Sequence, residues 1–514
     1  RFAPVQAKAV RAFIECSQSS HAYIAELEAW EEVPPPSCDS SSFMTIPNDH
    51  GSPMLGEDNS VDHIKTDSDR FWWGEIAGFD DHSYITNDFA TLNLPEYWQW
   101  GPRDAAMVQL YDLLVQVDLD RARVYLERLH VISNDYYNNR DDIRVLTNVP
   151  PTILTVNGHP YDHFHGQVMP AWGAVDEELD NQWTAKPGLD GLLAYPMAAF
   201  ARRVAEHPGW FCYQYRQDAI KFTNSVIATY KAFRQDMHLT ANDPYWYYIN
   251  PPSYVNLQCT TGDIDRCRSN RAEAGMALPY NLSLSMLKAM ADVAIAADSD
   301  LYKTSSQATA DAVTYGTNEA PRAIAKNVTM WVDKLDHRTL SDGTPWVAWK
   351  YSLLASAANE DLNHANFTLG SIVTMWENKS ALDGYLARNG YSERVNLDSS
   401  TLASIVNGFL RKIWYYDYTP GSPLHDLLTK QVDGNPSPPG LGVSDNGNPF
   451  CTAWARLAQF DPWMWRRCRD AIFYSELPAQ EGCGTSEAPW TCQYPALDPE
   501  NHAALLGWRK WLSP

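Results

Sequence analysis

The sequence contains no run of about 18 apolar residues, so it predicts no membrane-spanning helix. It is also poor in basic residues, with 40 Lys and Arg against 63 Asp and Glu, for a formal net charge of −23. A negative field of this size repels nucleic acids and anionic membranes at long range. We therefore expect neither nucleic acid nor membrane among the partners of this protein.

No Cys-x-x-Cys pair occurs, which argues against zinc bound to thiols. Most of the nine cysteines instead occur as close pairs, typical of disulfides formed in an oxidising compartment. The pairs are Cys259 with Cys267, Cys483 with Cys492, Cys451 with Cys468, and Cys16 with Cys38. Cys212 is left over and is expected to be a buried thiol. Disulfides are safest for the first two pairs, because their loops are short.

No signal peptide is visible, and the chain opens at Arg1 rather than Met, so we expect the mature form of a processed precursor. Four N-glycosylation sequons occur, at Asn281, Asn327, Asn366 and Asn378. Together with the cysteine pairs, the sequons favour a secreted glycoprotein.

Low-complexity tracts, tandem repeats and linkers are absent, which predicts one domain over residues 1–514 with irregular excursions near 33–70 and 431–449. Apolar residues recur at helical spacing almost throughout, as in Met107, Leu110, Tyr111 and Leu114, or just after Pro196, which suits a first helical turn. Further helical patterns cover Gln217–Phe233, Leu282–Ala296, Ala320–Leu335, Asp361–Trp376, Ser400–Tyr415 and His502–Trp511.

Strand-like alternation is scarce, so the predicted fold class is all-α. A four-helix bundle is too small for this chain, and a solenoid should show a repeat. By elimination we expect an (α/α) toroid of six or seven helical hairpins with long aromatic-rich loops. Its inner helices would be apolar all round except at one end, where the loops form a funnel.

Aromatic residues are abundant, with 20 Trp and 27 Tyr, and they cluster in loop-like segments. Large aromatic rings with a polar edge suit stacking on sugar rings, although they also serve to pack loops onto a core. The aromatic residues expected to bind substrate are Trp98, Trp100, Trp172, Trp246 and Tyr248.

The segment HPYDHFHGQVMPAWG places His159, Asp162, His163 and His165 close together. Three nearby histidines resemble a zinc or nickel site. A surface loop or a supporting role is the more common reason for such a cluster, so we expect no metal. His163 or His165 is then a candidate for contact with a substrate.

The segment LPYNLSLSMLKAM predicts a helix that starts at Pro279, with Tyr280 and Asn281 at its mouth. In a toroid these two residues would line the funnel, and Arg271 upstream would meet an anionic group. The alternative is an ordinary helix start with a solvated Asn281.

The segment NEDLNHANFTL places Glu360, Asp361 and His364 on one helix face, because residues three and four apart are neighbours there. An acid beside an imidazole orients it and raises its basicity. The alternative is structural: Asp361 caps the helix while His364 packs and hydrogen-bonds.

The helical hairpins, the Trp-rich loops, the LPYN helix entrance and the EDxxHA helix together resemble secreted carbohydrate-active enzymes with an (α/α) toroid. Within that class the chain is most similar, over Trp172 to Phe367, to the polysaccharide lyases that cut alginate or glucuronan. The resemblance implies β-elimination on a uronic-acid polymer by a monomer without a cofactor.

The same resemblance implies a role for each candidate catalytic residue. Asn281 and Arg271 would neutralise the substrate carboxylate, and His364 would take the proton from C5. Tyr280 would protonate the departing oxygen, and Glu360 and Asp361 would orient His364.

Two other functions stay open. A glycoside hydrolase needs two carboxylates roughly 5 to 9.5 Å apart. Glu360 or Asp361 would then pair with Asp104, Glu75 or Asp81. A non-catalytic glycan-binding protein would keep the aromatic platforms and need no acid–base cluster.

Overall fold

A computed structural model of the protein describes residues 9–16, 22–30, 44–48, 60–73, 97–146, 153–176, 182–250, 274–354, 357–413, 431–435 and 453–475. These residues are mostly helical, which confirms the predicted helical class. Small antiparallel sheets, which the sequence barely indicated, accompany the helices. In the described part, no helix is both long and apolar enough to cross a membrane.

The α-helices of the described part begin with α1 (Val61–Phe71), α2 (Tyr97–Leu114), α3 (Leu119–Asn138), α4 (Pro187–Glu206), α5 (Tyr213–Ala232) and α6 (Tyr280–Asp298). They continue with α7 (Asp300–Lys303), α8 (Ala320–Asp333), α9 (Leu362–Glu377), α10 (Lys379–Arg388), α11 (Ser399–Gly408) and α12 (Trp463–Ser475). Two π-helical stretches extend this set: Ala312–Glu319 leads into α8, and Phe409–Ile413 follows α11. The predicted helical patterns between 217 and 415 thus each contain a helix, whereas His502–Trp511 lies outside the described residues.

The strands of the described part pair as two-stranded antiparallel hairpins. They are β1 (Ala9–Cys16) with β2 (Ala22–Trp30), β3 (Thr155–Val156) with β4 (His159–Pro160), β5 (Ala174–Asp176) with β6 (Gln182–Thr184), β7 (Met237–His238) with β8 (Tyr247–Tyr248), and β9 (Asp336–Thr339) with β10 (Pro345–Ala348). The last four hairpins lie between helices, in the long connections that lead into α4, α6 and α9.

Helices α4, α6 and α9 are buried around most of their circumference, and α2 packs against α4. Along the chain each of these inner helices is followed by an outer helix that packs against it. The outer partners are α3 for α2, α5 for α4, α8 for α6 and α10 for α9. The described helices therefore form two layers, with the apolar core between them.

The inner helices run parallel to one another, because contacts between neighbours advance in the same direction along both chains. In α4 and α6, Gly188 lies against Leu282, and Gly191 lies against Met286 one turn further on. The same order holds between α2 and α4, where Gly101 lies against Leu192 and Asp112 bonds to Arg203. It also holds between α6 and α9, where Lys288 lies near Gly370 and Asp292 bonds to Asn378 at the end of α9. The first turns of the inner helices thus face one end of the molecule, together with the hairpins that precede them.

Glycine allows α4 and α6 to approach this closely. A Cβ on Gly191 would lie 2.3 Å from the backbone nitrogen of Met286, and one on Gly188 would lie 2.6 Å from Cβ of Leu282. Real side chains do not tolerate such distances, so a larger residue would push the two central helices apart.

Two expectations about chain organisation need correction, and a third lies mostly outside the described residues. The excursion near 33–70 is not irregular throughout, because α1 begins at Val61, where the Ser60 side chain accepts from the N–H of His63. Helix α4 begins at Pro187 rather than after Pro196, which is buried inside the helix. The excursion near 431–449 is described only over 431–435, where Gln431 bridges to Asp361. The start of α4 at Pro187 is stabilised by Asp190, whose carboxylate accepts from the N–H of Lys186 at 2.8 Å.

The cysteine expectations also change. Cys212 is disulfide-bonded rather than a leftover thiol, and Cys468 is a buried thiol outside any disulfide rather than half of a pair. No disulfide joins two cysteines within the described ranges. The pairs Cys259–Cys267 and Cys483–Cys492 lie outside those ranges, as do Cys38 and Cys451.

All four sequon asparagines are buried. Their exposed fractions are 0 % for Asn281, 0 % for Asn327, 2 % for Asn366 and 3 % for Asn378. A glycan on any of these side chains is incompatible with this fold, so the sequons do not count in favour of secretion.

Candidate active site at the entrances of two inner helices

Asp361 is the N-cap residue of α9 and also the hydrogen-bond partner of His364. Its Oδ1 atom accepts from the backbone N–H groups of Asn363 and His364 at 3.1 and 3.0 Å, as an N-cap does. Its Oδ2 atom lies 2.5 Å from Nδ1 of His364. The capping interpretation and the orienting interpretation of the sequence are therefore both met by one carboxylate.

The environment keeps Asp361 ionised. Burial alone would raise its pKa, but the hydrogen bonds and charge of His364 outweigh burial, so the pKa of Asp361 is lowered. A carboxylate facing Nδ1 holds the imidazole proton on that nitrogen, which makes Nε2 the basic atom of a neutral His364. The His364 side chain is 24 % exposed, so it can meet a ligand.

Glu360 makes no hydrogen bond with His364. Its carboxyl group accepts from the Trp349 indole N–H and, at 2.8 Å, from the Thr368 hydroxyl. Burial raises the pKa of Glu360 well above its ordinary value, against the effect of these two hydrogen bonds. Of the two acids that the sequence predicts as orienting groups, Asp361 therefore holds His364, and Glu360 is a buried acid behind it.

Tyr351 connects the first turn of α6 with the first turn of α9. Its carbonyl oxygen accepts from the Tyr280 N–H at 3.1 Å. Its ring meets the His364 ring edge-on, with 5.1 Å between the centroids. The two helix entrances that the sequence singled out thus lie side by side.

Tyr280 and Asn281 carry buried polar groups without partners. Within the described residues, neither the Tyr280 hydroxyl nor either atom of the Asn281 amide makes a hydrogen bond. Burial, and then the charge of Glu360, raise the pKa of Tyr280, so its hydroxyl stays protonated. The alternative of a solvated Asn281 is wrong, because the residue is fully buried.

Each unpaired buried group costs about 1–3 kcal/mol of folding free energy. Native proteins rarely leave such groups unsatisfied without a functional reason. The Tyr280 hydroxyl and the Asn281 amide are unpaired in consecutive residues, and Tyr351 contacts both Tyr280 and His364. The start of α6 is therefore a candidate place for a polar ligand.

The three clustered histidines do not converge. His159 Nδ1 faces backbone carbonyls, 2.8 Å from that of Arg144, and His163 lies exposed on a turn. His165 is buried between Asp162 and Asp236, 2.7 Å from each carboxylate. Burial would lower the pKa of His165, but the two carboxylates raise it to about 10. His165 is thus an ionic cross-link within the protein, and His163 keeps the potential to touch a substrate.

Within the described residues, no three His, Cys, Asp or Glu side chains form a group that could hold a metal ion.

Most of the predicted aromatic platforms lie in the core. Trp172 donates from its indole to the Tyr136 carbonyl, and Trp246 lies beneath the guanidinium of Arg322. The predicted platforms that are buried are Trp100, Trp172, Trp246 and Tyr248. For these four residues the packing alternative describes the side chains better than a sugar platform. The Trp98 side chain and Arg271 lie outside the described residues.

Asp104 is the one candidate partner carboxylate of a hydrolase that lies within the described residues. Asp104 is buried and accepts from the Tyr136 hydroxyl at 2.7 Å. Glu75 and Asp81 lie outside the described residues. In the described part, Asp361 and Asp104 are each engaged with a neighbouring side chain, and Glu360 is fully buried.

Sequence reasoning missed Trp349, Tyr351 and Thr368. The aromatic run PWVAWKY was visible before the EDxxH cluster. That Trp349 reaches Glu360 depends on the backbone pairing of Glu360 with Trp349, at 3.1 Å from N to O, which has no signature in the letters.

No model of a known protein family, no curated protein and no solved structure matches this chain. The site itself is therefore the basis for proposing a function.

Proposed function

We propose that the protein is a secreted polysaccharide lyase that cleaves a uronic-acid polymer of the alginate or glucuronan type by β-elimination. The observation that carries this proposal is the hydrogen bond from His364 Nδ1 to Asp361 at the entrance of α9. It prepares Nε2 of a partly exposed imidazole to accept a proton.

In this proposal three side chains share the chemistry. Nε2 of His364 takes the C5 proton of the uronate, and the electron pair of that C–H bond forms the C4–C5 double bond. The C4–O bond breaks, and the Tyr280 hydroxyl protonates the departing oxygen. The Asn281 amide donates to the substrate carboxylate, which stabilises the charge that develops when C5 loses its proton.

The unpaired state of Tyr280 and Asn281 supports these roles. A buried hydroxyl and a buried amide N–H that lack protein acceptors gain hydrogen bonds when a carboxylate-bearing sugar binds. The Tyr280 hydroxyl carries its proton at neutral pH, as a proton donor must, and its raised pKa makes it a weaker acid than an ordinary tyrosine. Arg271 upstream is a further candidate for the carboxylate.

We also propose that the two helical layers close into an (α/α) toroid of six or seven hairpins in one domain. The parallel inner helices and the alternation of inner and outer helices support this architecture. The hairpins gathered at the first turns of the inner helices would form the funnel, and the protein would act as a monomer.

The second candidate function is glycoside hydrolysis. It is favoured by the raised pKa of Glu360, since a carboxylic acid that keeps its proton can protonate a leaving group. It is weakened because Glu360 is enclosed by Trp349 and Thr368, while Asp361 is committed to the helix cap and His364. A non-catalytic glycan-binding protein would not need the Asp361–His364 pair.

The experiment is a panel of alginate, a glucuronan and neutral polysaccharides, each followed by two readouts. New ultraviolet absorbance from an unsaturated uronate, on an acidic polymer only, is the expected result. Reducing ends without that absorbance would establish the hydrolase. Binding without any new ends would establish the glycan-binding protein.

A further inference from the structure

Lys350 is an exposed lysine in the segment that joins the entrances of α6 and α9. It stands between Trp349 and Tyr351, and the Tyr351 ring meets the His364 ring with 5.1 Å between their centroids. Within the described residues, no ion pair or hydrogen bond engages the Lys350 side chain. Its ammonium group is therefore an unpaired positive charge at the rim of the proposed lyase site.

Backbone pairing places Lys350 on the same face as Asp361. Lys350 pairs with Asn359 in an antiparallel bridge, so the two side chains lie on one face. The backbone is extended at Asp361, with φ −74° and ψ 160°, and residues two apart in an extended segment share a face. Glu360 between them turns to the other face, where it is fully buried. Lys350 thus projects from the face that also carries the hydrogen-bond partner of His364.

Lys350 and Asp361 are diagonal neighbours across this pair of segments. Diagonal neighbours on one face of an antiparallel pair lie about 7–8 Å apart. The His364 side chain beside Asp361 is 24 % exposed, and Lys350 is exposed as well. A chain of sugars bound with one residue at His364 can therefore present its next residue to the Lys350 ammonium group.

The other carboxylate of this face is occupied. Asp433 accepts from the side-chain amides of Asn359 and Asn435 at 2.6 Å each, and from the backbone N–H of Asn435 at 3.0 Å. A guanidinium nitrogen of Arg338 lies 3.8 Å from the same carboxylate. These contacts satisfy Asp433 within the protein and leave the charge of Lys350 for a ligand.

Lys288, in the middle of α6, is by contrast a lysine that no polymer can reach. It also makes no ion pair within the described residues, but it is only 8 % exposed. Its Nζ atom lies over the Tyr195 ring, 3.8 Å from the centroid. The carboxylates whose charges act on it, Asp292 and Glu377, are each bonded to an arginine. Exposure therefore distinguishes Lys350 as the lysine that can meet a large ligand.

We propose that Lys350 is a specificity residue that binds the carboxylate of the uronate next to the one on which His364 acts. The inference rests on the proposed function, which supplies the acidic polymer. A net charge of −23 repels a polyanion at long range, so a local cation beside the site offsets that repulsion where the polymer binds. The neighbouring sugar does not react, so the contact strengthens binding without accelerating the chemical step.

The test compares wild type, Lys350→Gln and Lys350→Arg on the acidic polymer that the panel identifies. Lys350→Gln should raise KM about three- to fivefold, the size expected for one exposed ion pair, and leave kcat within about twofold of the wild type. Lys350→Arg keeps the charge and should retain the KM of the wild type. In about 1 M salt, which screens exposed charges within about 3 Å, the difference in KM should disappear.

Lys303→Gln is the matched control, because it removes the same charge from α7, beyond the far end of α6, where the lysine side chain is 52 % exposed. Its KM should equal that of the wild type. An equal rise of KM in Lys303→Gln, or an unchanged KM in Lys350→Gln, would overturn the proposal. A fall in kcat of about 10² in Lys350→Gln would also overturn it, because the lysine would then act on the reacting sugar.

A binding measurement separates this proposal from the lyase. Calorimetric titration of an alginate and a glucuronan oligosaccharide into His364→Gln, with and without Lys350→Gln, needs no turnover. Weaker binding with Lys350→Gln, when the wild type forms no unsaturated product, would support carboxylate binding by Lys350 and overturn the lyase. Product formation by the wild type together with equal binding in the two titrations would support the lyase and overturn the role of Lys350.

Discussion

Oδ2 of Asp361 lies 2.5 Å from Nδ1 of His364, while Oδ1 of the same carboxylate accepts from the first N–H groups of α9. One side chain thus fixes the start of the helix and the orientation of the imidazole. The rigid first turn of α9 positions His364, which a flexible loop would not do.

Asp361→Asn should separate these two roles. Asparagine caps helices about as well as aspartate, so we expect the free energy of unfolding to change by less than about 1 kcal/mol. The amide cannot stabilise a charged imidazole, so turnover on the polymer identified by the panel should fall by about 10² or more. Urea unfolding and initial rates measure the two effects.

Asp398 provides the control, because it caps α11 through the N–H of Thr401 at 2.7 Å and has no histidine partner. Asp398→Ala should cost about 1 kcal/mol of stability and leave turnover unchanged. Full turnover in Asp361→Asn would show that the carboxylate serves only as a cap.

The close approach of α4 and α6 predicts a large penalty for Gly191→Ala. The new methyl group would meet the backbone of Met286 at 2.3 Å, and the backbone cannot move aside without separating the helices. We expect a loss of roughly 1–3 kcal/mol in the free energy of unfolding, as for other overpacked cores. Gly384→Ala in α10 has open space around it and should be stabilising by about 0.5–1 kcal/mol. Equal effects of the two changes in denaturant unfolding would contradict the close packing.

The helices were predictable from the sequence because apolar spacing reports directly on which face is buried. The start of α4 was not predicted correctly. The sequence offers two prolines that suit a first turn, and the helix begins at Pro187, where Asp190 closes the first turn, rather than at Pro196. Pro196 lies inside the helix despite lacking an N–H, a case in which tertiary packing outweighs local preference.

The site was predictable to the extent that its contacts are local. Asp361 and His364 are three residues apart, so their pairing follows from helix geometry. The contacts of Glu360 with Trp349 and of Tyr351 with Tyr280 join distant segments and carry no periodic signal. Lys288 was visible as a charge within an apolar helix pattern, but its lack of a partner depends on which groups Asp292 and Glu377 bind.

The ionic cross-link at His165 predicts a pH dependence of stability. The pKa of His165 in the folded protein is about 10, above the value of roughly 6.5 expected when unfolded. The contribution of the protonated ring is therefore complete below about pH 6.5 and is lost as the pH rises towards 10. The stability difference between wild type and His165→Gln, measured by urea unfolding, should shrink across that window. A difference that does not vary with pH would contradict the cross-link.

Lys288 predicts a change of stability with pH that is opposite in sign to that of His165. Its pKa of about 7 in the folded protein lies below the unfolded value of roughly 10.4, so stability rises as the pH increases between these values. Lys288→Met removes the penalty of a buried amine. The variant should exceed the wild type by on the order of a few kcal/mol at neutral pH, and the advantage should shrink towards pH 10. A wild type that is the more stable protein at neutral pH would mean that the ammonium ion is paired.

Proton transfer by His364 is tested by comparing the initial rates of unsaturated-uronate formation of wild type and His364→Gln. Glutamine retains a hydrogen bond to Asp361 but cannot accept the C5 proton at neutral pH. We predict a loss of about 10²–10⁴ in rate on the acidic polymer, with a melting temperature close to that of the wild type. A near-normal rate in His364→Gln, or a rate lost only because the variant unfolds, would contradict the account.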